Sequence, residues 1–499
     1  MIMREVKRAS MTFQRIYEIN TRVWLYELVA QHAIARPHLA EIPEHYIHTW
    51  QRWQIDAVWL MGVWEPSPHS AHMAQADAKI MAACQQALPD FTPADCISSP
   101  YAIRGYVVSE LLGGLEGLLA FRQRLRQAGI GLILDFVPNH TACDHPWVHA
   151  HPTYYVQSTA EDQAHAPEAY FQAPTVDGTA YIAHGRDPYF PPWNDTAQLN
   201  YANPELQRAM QDELLRIAAW CDGVRCDMAM LCLSEIFART WKRMPPREFW
   251  LASIAAVRRR FPDFCCIAEV YWQLESRLQQ LGFTLTYDKA FYDALVTRDT
   301  DHLHALVRAD RMYLSASLRF LENHDEPRAA TRFSDAQQEA AALASITLPG
   351  AVLLHDGQIE GCTSHVPVQL RRRALEPVRP QLAAFYDWLL SFPKRLGSSF
   401  HVLQPHMAWE NNHSFRSMLA WAWWDDTQQW LLVINYADGV AQCRIRLADL
   451  PLPAGRLHFK DHKHGVDYDR ESDEVRYQGL YIELQPFDSH VFEIVVASG

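Results

Sequence analysis

Three carboxylates stand at the ends of apolar segments, in the order Asp227, Glu269 and Asp325. The first ends Gly223-Val224-Arg225-Cys226-Asp227, the second Phe264-Cys265-Cys266-Ile267-Ala268-Glu269, and the third Phe320-Leu321-Glu322-Asn323-His324-Asp325. An acid that closes an apolar strand is costly inside a core. It is well placed at the C-terminal mouth of a parallel barrel, where several strand ends converge. Arg225 and Asp227 are two residues apart, so on a strand they share a face. Taken alone that pair reads equally well as a structural ion pair, and Asp325 alone as a strand-end cap. Three acids at one mouth favour chemistry. Glycosidic cleavage with retention needs a carboxylate nucleophile and a protonated carboxylic acid about 5–5.5 Å apart. Arg225 would keep Asp227 ionised through charge attraction. Glu269, beside Val270, Tyr271 and Trp272, would sit in a drier setting that raises its pKa, as a general acid requires. His140, Arg225 and His324 supply groups that hold sugar hydroxyls.

The elements that carry these acids alternate. Apolar strand candidates occur at Arg15–Asn20 running on to Val23–Leu25, Ile55–Met61, Ile130–Val137, Asp222–Met228, Phe264–Trp272, Phe283–Tyr287, Ser317–Asp325 and Leu348–Gly357. Helical periodicity marks Leu115–Gln127, Pro204–Trp220 and Trp250–Arg260. Near-continuous apolar strands separated by helices argue for parallel strands covered on both sides. Eight of them predict an α/β fold, a closed (β/α)8 TIM barrel. A polar excursion from Glu65 closes near Ser99-Pro100-Tyr101. Tyr101 reads either as a loop anchor or as a platform that stacks on a sugar ring. Asp135, in Leu134-Asp135-Phe136-Val137-Pro138-Asn139-His140, reads as a pin to a neighbouring strand through an arginine. The alternation stops over 141–203, a segment too long for an ordinary loop, so a small inserted domain after the third strand is expected. The expected division is barrel over 1–140 and 204–395, insert over 141–203, and a C-terminal antiparallel β-sandwich over 396–499 with no chemistry of its own.

Composition narrows the partners. The chain has 499 residues, 49% hydrophobic, with a formal charge of −13. That charge disfavours nucleic acid and anionic membrane surfaces, while the aromatic content suits neutral ligands. The charged stretch Met1–Ser10 has no apolar core behind it, so no secretory signal is expected. No window approaches ~20 uninterrupted apolar residues, so no membrane span is expected. The ten scattered cysteines fit reduced, buried thiols and a cytoplasmic protein. His145, His149 and His151 are spaced too loosely for zinc and read as loop residues packed on Trp147.

The four segments Asp135-Phe136-Val137-Pro138-Asn139-His140, Gly223-Val224-Arg225-Cys226-Asp227, Glu269-Val270-Tyr271-Trp272 and Asn323-His324-Asp325 resemble, in order and spacing, the motifs of the α-amylase superfamily, glycoside hydrolase family 13. The resemblance runs from about Tyr17 to the C-terminus. It implies that Asp227 is the nucleophile, Glu269 the acid/base and Asp325 the transition-state stabiliser. It places Tyr101, His140, Arg225 and His324 in the same sugar subsite, Tyr101 as the stacking tyrosine. It implies no cofactor for the chemistry, and a candidate calcium ion with Asn139 and Asp195 as ligands. Two features depart from or qualify the pattern. Met230 and Leu231 stand where many α-amylases carry a Lys-His pair, which alters the acceptor side. Asp144-His145-Pro146-Trp147-Val148 is similar to a segment of several members, maltosyl-transferring enzymes among them. The expected function is retaining cleavage of α-glucosidic bonds in maltooligosaccharides or related α-glucosides. The rival is a transglycosylase or isomerase on the same site: a glucanotransferase, a maltosyltransferase or a trehalose-forming enzyme. A non-catalytic glycan-binding scaffold is disfavoured because all three carboxylates are present.

Overall fold

A computed structural model describes residues 13–394 and 396–496. The N-terminal stretch read above for a secretory signal lies outside the described residues. Among the described residues no helix is long and apolar enough to cross a membrane.

Eight parallel strands close into a barrel: β1 Arg15–Asn20, β2 Ala57–Met61, β3 Gly131–Phe136, β4 Gly223–Cys226, β5 Cys265–Ala268, β6 Leu285–Tyr287, β7 Ser317–Phe320 and β8 Ala351–His355. Each pairs with the next in sequence, and β8 closes on β1 through Arg15–Val352 to Glu18–His355. The strands are buried on both faces, which is why their sequences read as continuous apolar runs. Polar residues fix the register. Asp222, just before β4, accepts a hydrogen bond from the Leu132 N–H of β3 at 3.0 Å and pairs with Arg122 at 2.8 Å. Gly223 lies flush against β5; a Cβ there would stand 2.8 Å from the Cys265 carbonyl oxygen. Only a residue without a side chain lets β4 start at that depth.

The first strand is shorter than its sequence predicts. Val23–Leu25 belong to the helix Thr21–Ala30, because the Asn20 side chain accepts the Val23 N–H and caps it. The excursion after β2 is ordered. It contains the helices Pro68–Ala76 and Ala78–Ala87, and the pairing of Trp64–Pro66 with Ile103–Val108. The insert after β3 carries a three-stranded antiparallel sheet and is stitched at its neck by His140–Ala142 against Thr196–Gln198.

The C-terminal part is antiparallel, with one sheet of six strands and one of three. Two short helical segments, Ser414–Ser417 and Ser472–Tyr477, interrupt its strands. The domain is tied to the barrel by the Trp423 indole, which donates to the Thr347 carbonyl at 2.6 Å, and by the Tyr436 hydroxyl on the Leu295 carbonyl at 2.9 Å. All ten cysteines are free thiols and all but the half-buried Cys362 are buried.

Candidate active site

The C-terminal ends of β4, β5 and β7 deliver Asp227, Glu269 and Asp325 to one cleft of about 360 Å3. Tyr101 and His140 line the same cleft. The sequence therefore located residues that the fold brings together.

Arg225 organises the floor. It is almost fully buried, and its Nη1 donates to Asp227 Oδ1 at 2.7 Å. Its Nη2 lies 2.8 Å from Glu269 Oε2, an ion contact off the line of a hydrogen bond, so that Nη2 has no hydrogen-bond acceptor. One guanidinium thus touches both carboxyls that a two-carboxylate mechanism needs. Its charge is held over the rings of Tyr101, Trp59 and Tyr287 at 5.1, 5.3 and 5.7 Å, where ring quadrupoles replace lost water. Asp135 is 3.9 Å from Arg225 and accepts the Gly62 N–H at 3.3 Å, the pinning role expected of it.

Glu269 is held from three directions. Its Oε2 accepts the Met228 N–H at 2.7 Å and its Oε1 accepts the Tyr271 hydroxyl at 2.8 Å. Burial pushes its carboxyl up to about 7, against the pull of Arg225, with the Asp227 charge adding to the rise. Burial also raises Asp227, and Arg225 opposes that directly through charge and hydrogen bond. Asp325 differs. Its side chain is half exposed to the cleft. Desolvation by the surrounding protein would raise it, but the ion pair with His324 at 3.0 Å prevails and holds it down to about 2.

His324 in turn is gripped by Glu18 on β1, Nδ1 to Oε1 at 2.5 Å, while its Nε2 meets the Tyr101 hydroxyl at 2.7 Å. Burial lowers the His324 pKa, but Asp325 and Glu18 overcome it and the imidazole is pushed well above its ordinary value. His140 is the opposite case. Burial lowers it to about 4, so it faces the cleft as a neutral ring, packed on Trp193 at 5.1 Å.

Glu18, Trp193 and Trp59 escaped the sequence reading. Glu18 left one signal, an acid in the middle of a strand whose neighbours on either side, Tyr17 and Ile19, are apolar. Trp193 lies in an irregular part of the insert where periodicity says nothing.

The residues proposed for calcium do not fit an ion. Asn139 stands opposite Leu199, and Asp195 opposite Cys143, at the two ends of one ladder. Four residues of strand separate them by about 13 Å, whereas calcium ligands lie ~2.3–2.6 Å from the ion. The Asn139 side chain is also engaged, its Oδ1 accepting from Gln198 Nε2 at 3.0 Å, and Asp195 accepts the Ser70 hydroxyl at 2.7 Å. Asp195 instead lines the cleft. In the insert, His145 packs edge-on to Trp147 at 4.9 Å, whereas His151 stacks on Tyr154 and His149 meets the Pro174 carbonyl.

The loop after Glu269 is strained. Trp272 and Gln273 both adopt left-handed backbone, φ +63° and +61°, as does Met228 at +43°. Non-glycine residues in this region cost about 1–3 kcal/mol each and are retained where the surroundings dictate them. Here they flank Tyr271, whose hydroxyl donates to Glu269. Because a hydrogen bond to the ionised form lowers a pKa, Tyr271→Phe is expected to raise that of Glu269. A pH–rate profile on a maltooligosaccharide should show the alkaline limb moved upward by about half a unit. A limb that stays or moves down would contradict the assignment.

A parallel eight-stranded barrel thus carries acids from three strand ends into one cleft. The chain belongs to the α-amylase family: residues 46–421 match the α-amylase catalytic domain. It is similar to α-amylase MalA of Haloarcula japonica, 24% identical over 276 residues, which are 52% of this chain and 37% of that protein. It is similarly related to α-amylase 3 of Dictyoglomus thermophilum, 24% identical over 283 residues, 51% of this chain and 52% of the other. The matched region thus spans about a third to a half of these curated relatives. In fold it is similar to a noncanonic maltogenic α-amylase, AmyB, from Thermotoga neapolitana. The TM-score is 0.69 at 18% identity, covering 97% of this chain and 99% of that one.

Proposed function

We propose that this α-amylase-like glycoside hydrolase acts with retention on α-glucosidic bonds of neutral maltooligosaccharides. The observation that carries the proposal is Arg225, whose single guanidinium touches both Asp227 and Glu269. The two carboxyls are therefore close neighbours, as attack and protonation on one bond require. Asp227 attacks the anomeric carbon while protonated Glu269 gives its proton to the departing oxygen. Glu269, now ionised, takes a proton from the incoming hydroxyl, which displaces Asp227 and restores both groups. Asp325, ionised throughout, accepts hydroxyls of the sugar ring as positive charge develops. Tyr101 and the neutral His140 flank that ring.

The neutral character of the substrate is supported by the adjoining cavity of about 600 Å3, which shares Met228 and Tyr271 with the cleft. Asp187, Glu275, Asp293 and Glu326 line it against a single lysine, Lys289, itself paired with Asp293 and Glu326. A phosphorylated acceptor would meet net negative charge there. Transfer to a sugar hydroxyl is the second reading. It is favoured by Met230 and Leu231, which are buried and leave the acceptor side without the Lys-His pair of many α-amylases.

Maltoheptaose incubated with the protein in water enriched in heavy oxygen separates the readings. Shorter sugars carrying the label are expected, with the anomeric configuration at the cleaved bond preserved by NMR. Unlabelled longer and shorter sugars would make it a transferase, and an inverted anomer would end the retaining assignment.

A further inference from the structure

In the C-terminal domain, the turn Asp461-His462-Lys463-His464-Gly465 joins the strands Arg456–Asp461 and Val466–Glu471. Asp461 is fully buried, and its Oδ2 meets Nδ1 of His464 and Nδ1 of His490 at 2.6 Å each. His490 comes from the final strand, Ser489–Val496. Among the described residues this is the one group of three metal-ligating side chains whose ligand atoms lie within 4.8 Å of one another.

The hydrogen count does not close with neutral rings. The other nitrogen of His464, Nε2, faces Asp488 Oδ2 at 3.1 Å. A neutral imidazole has one N–H, so with carboxylates at both nitrogens the ring takes either a second proton or a metal ion in place of one. Asp461 is also fixed in place, because its Oδ1 accepts the N–H groups of Lys463 and Val491 at 3.1 and 3.2 Å. A carboxylate on the far nitrogen is how metal-bound histidines are oriented, and Asp488 stands in that relation to His464.

We propose that Asp461, His464 and His490 form a divalent transition-metal site of the zinc class. Two imidazoles and one carboxylate suit zinc, and ligand atoms about a tetrahedral zinc ion stand ~3.3 Å apart. Each ring therefore withdraws from Asp461 by less than about 1 Å to admit the ion. The fourth position opens to water on the side of His464, whose side chain is 34% exposed. The site sits where the domain leans on the barrel. Lys463 Nζ lies 3.7 Å from Glu339 on the barrel helix Asp335–Thr347, and His462 packs on Phe392 and Trp430. The ion fastens the turn to the last strand at that junction. Its role is to stabilise the domain, apart from the catalytic cleft.

The full chain, stripped with a chelator and dialysed against micromolar zinc chloride, tests this. One zinc per chain is expected by elemental mass spectrometry, with a thermal midpoint raised over the stripped protein by mass action. His464→Gln and His490→Gln are each expected to lose that zinc while keeping circular dichroism and turnover. No zinc retained by the wild type, or an unchanged stoichiometry in both variants, overturns the proposal. Should a variant fail to fold, X-ray absorption of the zinc-loaded wild type decides: two imidazoles in the first shell support the site, and fewer overturn it.

Discussion

Asp227→Asn is expected to lower kcat/KM on maltoheptaose by about 10⁴- to 10⁶-fold, or ~5–8 kcal/mol of transition-state stabilisation. The amide keeps the shape and can accept from Arg225, but it cannot supply the electron pair that forms the glycosyl-enzyme bond. Stability should move the other way. Asp135, Asp227, Glu269 and Asp325 crowd around Arg225 and His324, and burial raises three of those four carboxyls. Removing one charge from a crowded, buried group relieves a cost kept for function. The thermal midpoint is therefore expected to hold or rise. Undiminished turnover by a sequence-verified variant would remove Asp227 from the mechanism.

Glu269→Gln is expected to cost about 10²- to 10⁴-fold, the usual worth of a positioned acid. The loss should depend on the leaving group. An activated substrate such as α-maltosyl fluoride needs little protonation, so bond cleavage should largely survive in this variant, whereas Asp227→Asn should fail on both substrates. Equal losses on natural and activated substrates would deny Glu269 the acid's part. The pH dependence has a definite sign. The acid must be protonated, so activity falls as pH rises through about 7. Stability follows the same window. Between the ordinary value of 4.5 and about 7 the folded chain holds a proton that the unfolded chain has released, so stability declines as pH rises across that interval. Glu269→Gln removes its share of that decline, Asp135 keeping its own, and its midpoint at pH 8 is expected above that of the wild type.

Much of this site was legible in the sequence because barrel geometry converts strand-end position into spatial convergence. Asp227, Glu269 and Asp325 are far apart in the chain, yet each follows a buried strand, and the closed order of strands leaves them one mouth to share. What escaped has physical reasons. Val23–Leu25 are β-compatible apolar residues, and one cap at Asn20 turned them into a helix. The link from Glu18 to His324 joins the first strand to the seventh across 306 residues, which no local pattern encodes. Asn139 and Asp195 were paired by family resemblance alone; the ladder between His140–Ala142 and Thr196–Gln198 sets them at opposite ends.

The ten free thiols give the molecule a built-in record of how it comes apart. Nine are buried, and each region carries its own: Cys84 and Cys96 in the excursion, Cys143 in the insert, Cys221, Cys226, Cys232, Cys265 and Cys266 around β4 and β5, and Cys443 in the C-terminal sheets. Burial raises their pKa values, and a protonated thiol in a packed core is silent to alkylation. Each buried cysteine reports only when its own surroundings open. The order in which Cys443 and Cys265 become alkylated therefore distinguishes a chain that melts as one cooperative unit from one that sheds its C-terminal domain first.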